Sequence, residues 1–325
     1  TPWWRSLMPL VTAVGMAWMF GRWEFLLIAA FSPIVYALDN QRRKRRTRQT
    51  AARERVEYER ALERHRTTLA ERRATEVRRA RTRFIGGGQA SLLAQLRHRR
   101  VWERRPDDPD FLAVTLGHAG LASAFRDEPG SASATLWQAP LSISLLVEGP
   151  LSISGPPERA AAVMRSLISE LTFTHAPVDV HLWVFSDEDH ADEWQFVQWL
   201  PHAFTDDGGA LLATTSTGRS TLMKALKGLI ETRREEAEQR DRGLMVPLQI
   251  VVIDGVDNVS PPDLAQILRF GPGVGVVGIV SDPSVVPEGI RGEVRLGRFD
   301  DECTYRSEET PRVDGVVVSQ VSPET

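Results

Sequence analysis

Two apolar stretches open the chain, Trp3 to Phe20 and Trp23 to Ala37, separated only by Gly21 and Arg22. Each sits near the lower end of the roughly 20 apolar residues that a membrane-crossing helix needs. Trp3, Trp4, Trp18 and Trp23 suit the two water–lipid boundaries, and Arg5 and Arg22 lie where a long cation reaches the headgroups. The pattern predicts a transmembrane helix pair over residues 1–38. A cation run follows at once, Arg42-Arg-Lys-Arg-Arg-Thr-Arg48. Cations gather on the cytoplasmic flank of spanning segments, so the N-terminus and everything beyond residue 38 are expected on the cytoplasmic face of a plasma (inner) membrane. A signal peptide would carry a single apolar core and a small-residue cleavage site, which this pattern lacks. A buried hairpin of a soluble protein stays open as an alternative, because both stretches are short.

Residues 40–84 then read as one long helix. They contain no Gly or Pro, and Arg, Glu and Ala dominate. Glu57, Glu59, Glu63, Glu71 and Glu76 lie among arginines at i,i+3 and i,i+4 distances. The apolar positions form a thin stripe of Tyr58, Leu62, Leu69, Val77, Ala80 and Phe84, too narrow for a core but enough for one partner helix. Gly86-Gly-Gly88 breaks the helix, and a second one, Ala90 to Arg104, is expected to fold back. Residues 39–105 are thus a charged helical stalk. A solvated helix and a nucleic-acid surface are the other readings. Aromatics for base stacking are scarce, which argues against nucleic acid, and the membrane-proximal cations suit anionic lipid headgroups.

Beyond the boundary at Arg104-Arg-Pro-Asp-Asp-Pro-Asp110 the period changes. Strand-like runs at Phe111–Leu116, Leu141–Val147, Val178–Phe185, Ala210–Thr214, Leu248–Ile253 and Val274–Val280 alternate with helical ones at Pro157–Phe173, Asp189–Trp199, Ser220–Arg242 and Pro261–Phe270. Such alternation predicts an α/β domain over 106–325, with a mostly parallel sheet flanked by helices. The near-continuous apolar run Leu248 to Ile253 suits a strand buried on both faces.

Charge sharpens this division. The 325 residues sum to a net charge of −3, yet Arg42 to Arg105 is strongly basic and the remainder is acidic. The single cysteine, Cys303, excludes an internal disulfide. His175, His181, His190 and His202 lack the short spacing of a zinc site.

Three places approach nucleotide chemistry without completing it. Leu151-Ser-Ile-Ser-Gly-Pro-Pro-Glu-Arg-Ala has the strand–turn–helix order of a phosphate-binding loop, with Gly155 at the turn and Arg159 as the nearby cation. Pro156 and Pro157 remove two N–H donors, Glu158 adds negative charge, and no Gly-Lys-Ser/Thr is present. Ala213-Thr-Thr-Ser-Thr-Gly218-Arg219-Ser220 has the spacing of that loop, with Ala for the first Gly and Arg for Lys; a helix N-cap explains it equally well. Ile250-Val-Val-Ile-Asp254 ends a strand on the acid that would order a Mg²⁺-bound water, but Gly255 follows instead of a catalytic carboxylate, and Asp257 lies farther on. Gly155, Arg159 and Asp254 are therefore the residues of a degenerate nucleotide site.

Two stretches carry a resemblance. Leu96-Arg-His-Arg-Arg-Val-Trp-Glu-Arg-Arg-Pro-Asp-Asp-Pro-Asp-Phe111 with Val114-Thr-Leu-Gly117, and Trp194-Gln-Phe-Val-Gln-Trp-Leu-Pro-His202, resemble the N-terminal part of EccC, the membrane-bound FtsK/SpoIIIE-type ATPase of type VII (ESX) secretion. The order of membrane pair, stalk and ATPase-like domain also matches. The resemblance implies a coupling part of a motor that exports small helical proteins. ATP and Mg²⁺ would act in later modules, and this first ATPase-like domain would be degenerate. It also implies other membrane subunits of the secretion complex as partners, and an oligomer. An ATP-hydrolysing domain in its own right and an FtsK-like DNA translocase remain the alternatives.

Overall fold

The computed structural model describes residues 18–19, 24–127, 131–239, 244–281 and 286–323. They fall into two compact units, Thr1–Glu71 and Arg72–Thr325.

The first unit is helical. One α-helix of 60 residues, α1 (Glu24–Arg83), supplies it, and residues 72–83 of that helix belong to the second unit. Its good helix formers and absence of Gly explain its length. The helix expected over 40–84 is present, ending at Arg83, and it begins earlier than expected: residues 24–37 of the second apolar stretch belong to it. Val56 and Tyr58 are exposed. Arg55 and Glu59 stand 4.0 Å apart, and Arg66 and Glu63 3.5 Å, all four largely exposed. Such pairs contribute a few tenths of a kcal/mol each, about 0.3–0.5. Most of the first expected membrane helix, residues 1–17 and 20, lies outside the described residues. Among the described residues no helix is long and apolar enough to cross a membrane.

The second unit contains two sheets. A three-stranded antiparallel sheet has the order β11-β1-β2, with β1 at Ala113–Arg126, β2 at Ser133–Ser144 and β11 at Val317–Val318. An eight-stranded sheet has the order β10-β9-β8-β3-β7-β6-β4-β5. Its strands are β3 (Leu151–Ser154), β4 (Val180–Phe185), β5 (Leu212–Ala213), β6 (Leu248–Ile253), β7 (Val276–Ser281), β8 (Gly292–Arg295), β9 (Thr304–Ser307) and β10 (Val313–Asp314). The run from β8 to β5 is parallel, and β9 and β10 close one edge antiparallel. This is the mostly parallel sheet that the strand–helix alternation predicts. The β1–β2 hairpin, by contrast, forms a sheet of its own.

Helices cover both faces. They are α2 (Gly87–Gln95), α3 (Pro157–Thr174), α4 (Ser216–Gln239) and α5 (Pro261–Phe270). Alternate residues of β6 divide the core. Ile250 and Val252 join α3 and the β1–β2 sheet on one side, while Val251 and Ile253 join α4 and α5 on the other. Both sides are buried, which is why β6 reads as an unbroken apolar run. Where a second stalk helix was expected over 90–104, α2 ends at Gln95. Arg97, Trp102 and Leu112 then take left-handed φ of 51°, 57° and 55°, a conformation that costs roughly 1–3 kcal/mol per non-glycine residue and ends any helix.

Candidate functional site

The strand ends that would hold a nucleotide meet at the carboxyl edge of the large sheet, the usual ligand edge of such folds. Gly155 forms the turn after β3 with φ +136°, and a side chain there would run into the Leu296 backbone that follows β8. Its glycine is required by this close approach. Arg159, in the first turn of α3, donates to Gly297 O at 2.7 Å and to Asp300 Oδ1 at 2.6 Å. Both partners lie beyond β8, so the guanidinium is spent on that side of the sheet.

Asp254 ends β6, with β7 standing between it and β3. It is 8 % exposed. Oδ2 accepts from Trp194 Nε1 at 2.7 Å and Ser186 Oγ at 3.2 Å, and Oδ1 accepts from Ser281 Oγ at 3.1 Å. Ser281 Oγ also accepts from Gly255 N at 2.8 Å. The carboxylate is thus a knot joining β4, β6, β7 and the 3-10 run Ala191–Trp199, with a donor on each of its oxygens. The expected α-helix over 189–199 is this tighter run.

The second loop gives the same answer. Thr215 Oγ1 accepts from Gly218 N at 3.2 Å, an N-cap of α4. Arg219 Nη1 donates to Ser186 O at 2.8 Å and Thr214 O at 2.7 Å. Asp257 is exposed. Asp187 accepts from His190 N at 2.9 Å and lies 2.8 Å from His190 Nδ1. Among the described residues no group of His, Cys, Asp and Glu could hold a metal ion. The residues present do not fit a nucleotide's phosphates and Mg²⁺. The turn is closed by backbone, two prolines stand where N–H donors belong, and Arg159, Arg219 and Asp254 are bonded to the protein's own groups.

A different constellation lies at the foot of α1. Arg100 Nη1 donates to Thr82 O at 2.8 Å and its Nη2 to Arg83 O at 2.9 Å. Arg104 Nη2 donates to Arg83 O at 3.2 Å, and its Nη1 to Ala113 O. Two guanidinium groups thus cap the last carbonyls of a helix, where its dipole is negative. Arg83 Nε reaches Asp110 Oδ2 at 3.1 Å. Burial pushes Asp110 up, but Arg83 and Arg104 outweigh it and hold the carboxyl below its ordinary range. About two turns earlier, Glu76 accepts from Ser123 Oγ at 2.8 Å and Ala124 N at 3.0 Å on β1. Arg73 donates to Phe125 O at 3.0 Å, and Arg81 to Gln138 O at 3.0 Å on β2.

Behind this clamp stands α3. Trp102 N and Arg104 N donate to Phe173 O and Thr174 O at 2.8 and 2.9 Å. Glu170 is fully buried and accepts from Thr115 N at 2.6 Å and Thr115 Oγ1 at 3.1 Å. His175 Nε2 accepts from Leu112 N at 2.9 Å, and burial pushes this imidazole down to about 4. His202 Nε2 meets His175 O at 2.9 Å. These histidines, dispersed in sequence, are buried structural neighbours. The clamp residues were visible only as a resemblance motif. Arg100 and Arg104 lie well beyond the end of α1 at Arg83, and at such a separation they give no periodic signal.

The two motifs now have physical roles. The first supplies the clamp, and Gly117 lets β11 approach β1, since a side chain there would strike the Val317 carbonyl. The second supplies Trp194, fully buried against Asp254. Sequence comparison gives the relationship. The ESX-4 secretion system protein EccC4 of Mycobacterium tuberculosis is 35% identical over 124 residues, 32% of this chain and 10% of that protein. The ESX secretion system protein EccC of Thermomonospora curvata is 25% identical over 257 residues, 70% of this chain and 19% of that protein. This chain is a relative of the EccC proteins. It spans 10% to 19% of the length of these two relatives. No family model matches it. Among solved structures, EssC (ATPases 2 and 3) from Geobacillus thermodenitrificans aligns at a TM-score of 0.48 and 12% identity, covering 69% of this chain and 47% of that one.

Proposed function

We propose that this chain is the membrane-anchoring and coupling part of a type VII secretion motor. Residues 1–38 form the anchor, 39–105 the stalk and its foot, and 106–325 an ATPase-like body that does not hydrolyse ATP. One observation carries this reading: the last turn of α1 is gripped by Arg100 and Arg104, side chains of the segment that is bonded to α3. A helix held this way passes displacement to the sheet instead of fraying. The committed groups around Asp254 and Arg159 favour a coupler over an ATP-hydrolysing domain.

On this reading ATP, Mg²⁺ and the small helical export substrates belong to further modules of such motors. The partners here are other membrane subunits of the secretion complex, anionic lipids at Arg42–Arg48, and further copies in an oligomer. Nucleic acid is not among them. The test is fractionation of cells expressing the chain with and without residues 1–38, followed by retrieval of bound subunits. The full chain should sediment with membranes and bring down secretion subunits, and the truncated chain should be released. Retention of the truncated chain in membranes would overturn the anchor.

A further inference from the structure

The clamp contains a carboxylate whose hold depends on its charge. Glu170 on α3 makes two kinds of contact. From Thr115 it accepts an N–H and a hydroxyl, at 2.6 and 3.1 Å. A protonated carboxyl still accepts such bonds, though more weakly than a carboxylate. To Arg104 it offers only attraction across 3.7 Å, between groups 0% and 2% exposed, and that attraction requires the negative charge. The same guanidinium donates to Arg83 O, the last carbonyl of α1, and to Ala113 O on β1. One guanidinium therefore separates Glu170 from the end of the long helix.

We propose that Glu170 is a latch on the foot of α1: ionised, it joins Asp110, whose Oδ2 lies 3.4 Å from Arg104 Nε, in fixing that guanidinium and so tightens the helix's last turn; neutral, it loosens that turn. The proposal rests on the reading of this chain as a coupler, and makes the stiffness of its joint adjustable by protonation.

The charged groups around the latch come from three elements. Arg83 is on α1, Arg100, Glu103, Arg104 and Asp110 are on the connecting segment, and His175 follows α3. The facing residue of β1, Thr115, carries no charge. Burial raises Glu170 to about 7, against the pull of Thr115, Arg104 and Arg100. His175 stays neutral down to about 4, and Asp110 stays ionised. Within this cluster, Glu170 is the group that changes charge across neutral pH.

The experiment is hydrogen–deuterium exchange of the full chain in nanodiscs at pH 6 and pH 8, corrected for intrinsic rates and read at residues 78–85. In the unmodified protein, protection of this segment should rise severalfold at pH 8. Glu170→Gln, which still accepts from Thr115, should show low protection at both pH values. Arg104→Lys keeps the charge but lacks the fork that reaches both carbonyls, so it should lose protection as well. Equal exchange of E170Q and the unmodified protein at pH 8 would overturn the latch, as would protection indifferent to pH. Should E170Q fail to fold, R104K decides alone, and undiminished protection in R104K overturns the proposal. Failure here leaves the coupler reading standing, whereas a released or partnerless full chain would sink that reading without touching this result.

Discussion

Tryptophan shows how far a residue's environment outruns its sequence. Trp194 and Trp199 lie in one short motif, and the aromatic at the end of an amphipathic helix is the natural one to expect in the core. The structure assigns the roles differently. Trp194 is fully buried with its indole N–H on Asp254, and Trp199 is 80% exposed. Five residues apart on a 3-10 run, the two side chains face different directions, and the inward one meets Asp254. Trp194→Phe leaves a buried carboxylate short of a donor and should cost about 1–3 kcal/mol in urea unfolding. Trp199→Ala should stay within about 0.5 kcal/mol in the same assay. Glu170 adds a pH dependence of definite sign. Its folded value of about 7 stands above the ordinary 4.5, so the stability it contributes is present below pH 4.5 and lost as pH rises through 7. His175 runs the other way, its contribution present above 6.5 and lost as pH falls toward 4. Thermal unfolding hydrates Glu170, whereas fraying of α1 leaves it buried, so between pH 6.5 and 8.5 the melting temperature should decline in the unmodified protein and decline less in E170Q.

At the scale of elements, regular patterns were legible and irregular or short ones were not: β1 and β2, the longest strands, were expected only as Phe111–Leu116 and Leu141–Val147. Helix α1, helix α3 and strand β6 follow from propensity and period over ten or more residues, or from an unbroken apolar run. Strands β8 to β11 have two to four residues each, too few for alternation to register. They are fixed by tertiary contacts instead. Glu148 accepts from Tyr305, Ser307 and Thr310 at 3.0, 2.8 and 2.6 Å, and Glu293 pairs with Arg295 and Arg306 at 2.5 Å each. The fold-back helix over 90–104 fails because the segment is recruited to cap α1, which needs left-handed turns that no propensity scale anticipates. Two changes separate the rod from its foot. Arg60→Pro breaks the exposed part of α1 and should cost about 3 kcal/mol locally, visible as lost helical circular dichroism. Arg100→Ala should leave total helicity nearly unchanged, while residues 80–84 exchange faster.

For the whole molecule, the candidate site was half legible. Gly155, Arg159 and Asp254 do lie at the carboxyl edge where a nucleotide would bind, as their places after β3 and β6 require. Their side-chain commitments were not legible. Nothing in sequence spacing says that Arg159 reaches Asp300, or that Asp254 is claimed by a tryptophan sixty residues away. On the proposed reading the foot of α1 couples, and the edge of the sheet has exchanged phosphate chemistry for structural bonds among Arg159, Asp254 and their partners. Calorimetric titration of the full chain with ATP and Mg²⁺, alongside Asp254→Ala, tests that exchange most directly. The account predicts no saturable heat at millimolar nucleotide for either protein. Saturable binding by the unmodified chain that disappears in D254A would contradict it and restore Asp254 to a working nucleotide site.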